Sequence, residues 1–138
     1  MKISARVENS AGQHHVTLTT NEHAHSISIP PKSTGLGSSA NGGELLFLAL
    51  ATCYCNDLYR EAAKRNIKIE RVEVEVIGDF GAEGEPAKNV TCRARIHAHG
   101  TEADIRALME HIDTVAEIQN TLRMETPVTL SGIEIATM

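Results

Sequence analysis

The run from Glu44 to Asn66 constrains the fold more than any other stretch. No Pro or Gly interrupts it, so nothing breaks a long helix. Asn41, with Glu44 three residues later, matches a capping box with Asn in place of the usual Ser or Thr. The first half, Leu45-Leu46-Phe47-Leu48-Ala49-Leu50-Ala51, is apolar all round. A helix without a polar stripe must be covered on every side. One sheet covers one face, so a second subunit is expected to cover the rest. The apolar run is far too short to span a membrane.

A chain of 138 residues suits a single domain over 1–138. Its 41% hydrophobic and 22% charged residues exclude disorder. The 13 Lys+Arg against 18 Asp+Glu give a net charge of −5, which argues against nucleic acid, because phosphate binding needs clustered cations. With no Trp, two Phe and two Tyr, base stacking has no platform. The start, Met1 to Glu8, alternates and carries charge, unlike a signal peptide. Three cysteines, Cys53, Cys55 and Cys92, form no disulfide framework, so the reducing cytoplasm is the expected compartment.

Around the helix the pattern is mostly that of strands. Residues 2–8, 14–20 and 23–29 alternate and predict three strands, with turns at Ser10-Ala11-Gly12 and Asn21-Glu22. A Pro/Gly/Ser loop spans Pro30 to Ala40. After the helix, 70–77 sets Val72, Val74 and Val76 against Arg71, Glu73 and Glu75, and 89–99 sets Val90, Cys92, Ala94 and Ile96 against Arg93, Arg95 and His97. Opposite charges on one face and apolar residues on the other predict antiparallel pairing of Glu73 with Arg95, Val74 with Ala94 and Glu75 with Arg93. Thr101 caps a helix carrying Ile105, Leu108, Met109 and Ile112, a short helix follows Asp113-Thr114, and Pro127 opens a last strand with Val128, Leu130, Ile133 and Ile135. The order βββ-α-ββ-αα-β is α+β, with a mostly antiparallel sheet.

Four features bear on chemistry. Cys53 lies too far along its helix for the dipole to acidify it, and Asp57 at i+4 opposes a thiolate. Arg60 is two turns away. On local sequence alone Cys53 reads first as an inert buried thiol. Cys55 faces another side of the helix, and Cys92 shares the apolar parity of its strand and reads as core. The pairs His23/His25 and His97/His99 each share a face, but no third ligand follows at metal-site spacing, so no metal is expected. The glycine-rich stretch from Gly35 to Gly43 lacks the Lys of a P-loop and reads as a connection. Glu44 reads equally as a helix cap and as a site residue.

The segment Glu44-Leu45-Leu46-Phe47-Leu48-Ala49-Leu50-Ala51-Thr52-Cys53 resembles the OsmC/Ohr family, whose hallmark is a Glu-Leu-Leu start, a small-residue apolar helix and a cysteine nine residues after the Glu. The preceding loop, the strand Ile69 to Val76 and the element order extend the resemblance over nearly the whole chain. It implies an intertwined homodimer with long central helices buried between two sheets. It also implies thiol-dependent reduction of organic hydroperoxides, in which one cysteine attacks the peroxide and a second resolves the sulfenic acid. Cys53 matches the attacking cysteine, and Glu44 a neighbouring family glutamate. Gly43 stands where the peroxidase branches place theirs. Ala116 stands at the resolving cysteine, and Arg6, the only arginine before the helix, does not align with the family's activating arginine. The resemblance therefore implies a one-cysteine scheme with Cys53 and Glu44 at the site, no cofactor, and an external thiol as reductant. The rival is a non-catalytic homodimer that binds a small hydrophobic ligand in its interface crevice.

Overall fold

A computed structural model describes residues 1–138, which form two compact units, Met1–Leu46 and Phe47–Met138. In the first, strands β1 (Ile3–Ser10), β2 (Gln13–Thr20) and β3 (His23–Ile27) make an antiparallel sheet in sequence order. Val7 pairs with Val16 and Val16 with Ile27, so the expected apolar parity runs across all three strands. The turns fall where the sequence places them. Asn21 and Glu22 both have positive φ, at 46° and 74°, the geometry that matches the twist of a two-residue hairpin. Asn21 Oδ1 also accepts a hydrogen bond from the Lys2 backbone N–H at 2.9 Å. Of the apolar face only Val16, 7% exposed, is buried, while Ile3, Val7 and Ile27 are exposed.

The glycine-rich loop serves as a connection. It closes on itself through a bridge between Pro31 and Ser38, and the Gly37 N–H donates to Asn9 Oδ1 at 3.0 Å. It delivers the chain to helix α1 (Gly42–Lys64). The expected capping box is present: Glu44 N–H donates to Asn41 Oδ1 at 2.8 Å, and Asn41 N–H to Glu44 Oε1 at 2.9 Å. At the far end Asn66 takes a left-handed φ of 56° and stops the helix, as Asn does when it replaces Gly after a C-terminus.

In the second unit β4 (Ile69–Asp79) and β5 (Lys88–Ala98) pair antiparallel, with Glu73 opposite Arg95, Val74 opposite Ala94 and Glu75 opposite Arg93. The charge-and-apolar argument thus fixes the observed register. Tyr54, Leu58 and Ala62 of α1 meet Leu108 and Ile112 of α2 (Glu102–Val115), and Val72, Val74, Ala94 and Ile96 of the sheet pack against them. Thr101 caps α2 by accepting the Asp104 N–H at 3.1 Å. At Ala116 the backbone leaves the helical region, and α3 (Glu117–Arg123) begins. Near the helix ends, Glu61 binds Lys64 Nζ at 2.6 Å, Arg60 Nε at 3.0 Å and His111 Nε2 at 3.3 Å.

Two expectations fail. The strand after Pro127 does not form: residues 124–138 hold no strand, and Val128, Leu130, Ile133 and Ile135 are 97%, 81%, 73% and 80% exposed. Alternation gives a segment the capacity for a strand, but a strand also needs a ladder, and this segment pairs with none of the strands in the chain. Cys92 has the predicted parity, yet it is exposed. It lines a groove of about 780 Å³ with Tyr54, Ala94, Ile96 and Met109 rather than lying under a helix.

Glu22→Gly should stabilise the chain by about 1 kcal/mol, because a residue with a Cβ is strained at this positive φ; urea unfolding at fixed protein concentration measures it. A second expectation concerns acid. Lys64 first, then Arg60, hold the Glu61 carboxyl down at about 2, against an ordinary 4.5. A depressed carboxyl contributes stability above its unfolded value and loses it as pH falls through the folded one. Between pH 4.5 and 2 the wild type should therefore lose stability more steeply than Glu61→Gln, read from denaturant midpoints across that window.

Candidate functional site

Cys53 projects from the middle of α1, where the helix passes from its apolar half to its charged half. It is half-buried, and Cys55 and Cys92 are, like it, unpaired. Its Sγ lies 3.7 Å from Asp57 Oδ2, the expected i+4 neighbour, and 3.5 Å from Glu117 Oε2, at the start of α3. The thiol carries one proton, so it donates to one carboxylate at a time. Each carboxylate turns its other oxygen to the same donor: Arg60 Nη1 is 3.1 Å from Asp57 Oδ1 and 3.1 Å from Glu117 Oε1. Arg60 Nε is engaged by Glu61. The one cation near the sulfur is thus held on the far side of two carboxylates.

The electrostatics follow from this arrangement. Burial, and then the charges of Asp57 and Glu117, raise the Cys53 thiol above its ordinary value, against a lowering hydrogen bond from the Ile118 backbone N–H. Asp57, 6% exposed, is raised by its burial and by Glu117. Glu117 is held at about 2 by its own backbone N–H, by Asp57 and by Arg60. The raised thiol thus faces one oxygen from each of two acidic side chains.

The sequence singles out Cys53 and Glu44. Glu44 is taken up in the capping box and is not among the hydrogen-bond partners of Cys53. Sequence reasoning missed Glu117, which lies 64 positions from Cys53 and reaches it only through the packing of α3. One signal pointed there: the resemblance puts position 116 at the family's resolving cysteine, and Glu117 is the next residue. Ala116 itself is fully buried.

Cys53, Asp57 and Glu117 also set three potential ligand atoms within 4.8 Å of one another. A thiolate and two carboxylates suit a divalent ion, but Arg60 Nη1 already lies between the carboxylates, and the cluster is satisfied as an ion-pair network. The paired histidines do not contribute to it. His99 instead bonds Glu70 at 2.8 Å.

The fold has counterparts among known proteins. The chain superposes on an OsmC-like protein from Mycoplasma pneumoniae with a TM-score of 0.60 at 18% identity, covering 87% of each chain. It superposes on an OsmC-like protein from Vibrio cholerae with a TM-score of 0.57 at 17% identity, covering 88% of this chain and 93% of that one. An organic hydroperoxide resistance protein from Legionella pneumophila gives a TM-score of 0.52 at 20% identity, covering 89% of this chain and 90% of that one. A search of curated proteins gives no significant match. The sequence family described as OsmC-like protein matches residues 35–131, so α1, the β4–β5 hairpin, α2 and α3 all fall inside it, and the chain belongs to the OsmC-like protein family.

Proposed function

We propose that the chain is a one-cysteine thiol peroxidase that reduces organic hydroperoxides, works as a homodimer and is recycled by an external thiol. The observation that carries this reading is the half-buried Cys53 thiol set against the start of α3, with fully buried Ala116 in place of a second thiol. Family membership supports it, since the solved relatives include organic hydroperoxide resistance proteins. In the reaction the Cys53 thiolate attacks the distal peroxide oxygen. An S–O bond forms, the O–O bond breaks, and the alkoxide leaves with the proton given up by the thiol. The product is a sulfenic acid and an alcohol.

The dimer is proposed on exposed apolar surface. The first unit buries a single residue of its sheet, Val16, while Leu48 of α1 and Ile77, Phe80 and Val90 of the second unit are exposed. Soluble monomers rarely leave so much apolar surface open. No helix is long and apolar enough to cross a membrane, and the three free cysteines suit a reducing cytoplasm. The second reading, a non-catalytic dimer that binds a small hydrophobic ligand, is favoured by the raised thiol, since a binding module needs no thiolate.

Hydroperoxide consumption with several thiol donors decides between them. We expect consumption that Cys53→Ser abolishes. Its rate should climb with pH from 7 to 9 by up to about tenfold per unit, because the raised thiol ionises late. Peptide mass spectrometry should find a trappable sulfenic acid on Cys53 and no Cys53–Cys55 or Cys53–Cys92 bridge. An unmodified Cys53 under excess organic hydroperoxide establishes the binding module instead. Glu44 enters through the sequence pattern and the resemblance. Loss of rate in Glu44→Gln at unchanged helix content supports a site role, and an unchanged rate makes it only a cap. Sedimentation at micromolar concentration should give a dimer; a stable monomer refutes the assembly.

A further inference from the structure

Any thiol that regenerates Cys53 must bring its own charge to within a few ångströms of Asp57 and Glu117. Glu117 Oε2 is 3.5 Å and Asp57 Oδ2 3.7 Å from the sulfur. The cluster contains Asp57, Glu61 and Glu117 against Arg60 and Lys64, with His111 on the outer oxygen of Glu61. Its cations do not face the sulfur. Arg60 is bound to Asp57 Oδ1, Glu117 Oε1 and Glu61, and Lys64 to Glu61. The groups that touch Sγ are both acidic, and one of them, Asp57, is buried where solvent screens least.

We propose that Glu117, with Asp57 behind it, selects the recycling thiol by charge, accepting cationic aminothiols and rejecting anionic thiols. This rests on the peroxidase reading of Cys53. In the first step the thiol sulfur attacks the sulfenic acid. An S–S bond forms, the S–O bond breaks, and hydroxide leaves as water with the thiol's proton. In the second step another thiol attacks the mixed disulfide. The small disulfide departs, and the Cys53 sulfur takes the second proton. Two thiols thus become one disulfide and one water. At the moment of attack a cysteamine thiolate has net charge zero, a 2-mercaptoethanol thiolate one negative charge and a mercaptoacetate thiolate two. The two carboxylates at the sulfur sort these species in that order.

The test needs no peroxide. Reduced full-length protein is treated with cystamine, 2-hydroxyethyl disulfide or dithiodiglycolate. Modification of Cys53 is followed by peptide mass, and each rate is divided by that of an uncharged small thiol with the same disulfide. Cystamine should outrun dithiodiglycolate by about tenfold or more at low ionic strength, and high salt should shrink the ratio. Glu117→Gln should cut the ratio several-fold. The Glu117 side chain is 61% exposed, so the substitution leaves the packing intact. A ratio near one, or a ratio unmoved by Glu117→Gln, overturns charge selection. The two readings fail separately: a protein that consumes no hydroperoxide refutes the peroxidase, whereas a flat charge series refutes only the selection.

Discussion

Everything in the second unit is referred to one helix whose character changes along its length. Beyond Cys53, α1 buries Tyr54, Leu58 and Ala62 against Leu108 and Ile112 of α2. Leu58, Leu108 and Ile112 are fully buried, and truncation of such a side chain costs about 2–5 kcal/mol. That packing presents Asp57 and Arg60, one turn and two turns after Cys53, to the start of α3. The ion pairs are a consequence of the apolar contact. The Arg60–Glu117 pair, with both side chains substantially exposed, contributes little on its own. Buried Ala116 and Gln119, the latter donating to the Leu50 carbonyl, hold α3 where its first carboxylate meets the thiol.

Local rules made much of this legible. The capping box, the Asn21-Glu22 turn and the Thr101 cap each depend on residues within four positions of one another, and each is where the sequence puts it. The β4–β5 register was readable because a one-residue slip inverts both a charged and an apolar face. Distance in sequence is what hid the rest. Glu117 comes to Cys53 from across the chain, and no periodicity encodes that contact. Arg60 was visible as a cation near the thiol, but its capture by three carboxylates depends on the same packing. Cys92 had the parity of a core residue, yet parity states which face a side chain takes, not how far the covering helices reach.

The strand expected after Pro127 failed for a related reason. Its alternation is sound as a pattern, and its apolar residues are almost fully exposed. The first unit shows the same imbalance, with a continuous apolar face from Val7 through Val16 to Ile27 and one buried residue in it. A three-stranded sheet needs its apolar face covered to be stable. Leaving these surfaces open in water forgoes roughly 25 cal/mol for each Å² that burial would remove. A second copy of the chain is the proposed cover, because it brings the same unsatisfied surfaces and can meet them by symmetry.

A methyl group at Ala116, where the resemblance implies a resolving thiol, has a chemical corollary for the proposed cycle. Where a second cysteine lies beside the first, the sulfenic acid is resolved within the chain, at an effective concentration no free thiol matches. Charge at the first sulfur then matters little to recycling, since the partner is already in place. With Ala116 buried at that position, the proposed cycle passes to a molecule that must diffuse in. On that proposed scheme the electrostatic field at Cys53 is part of the rate of every turnover. Glu117, next to Ala116 and 3.5 Å from the sulfur, lies where that field is set. In the proposed cycle, a chain with no thiol at position 116 thus uses a neighbouring carboxylate as the filter on its reductant.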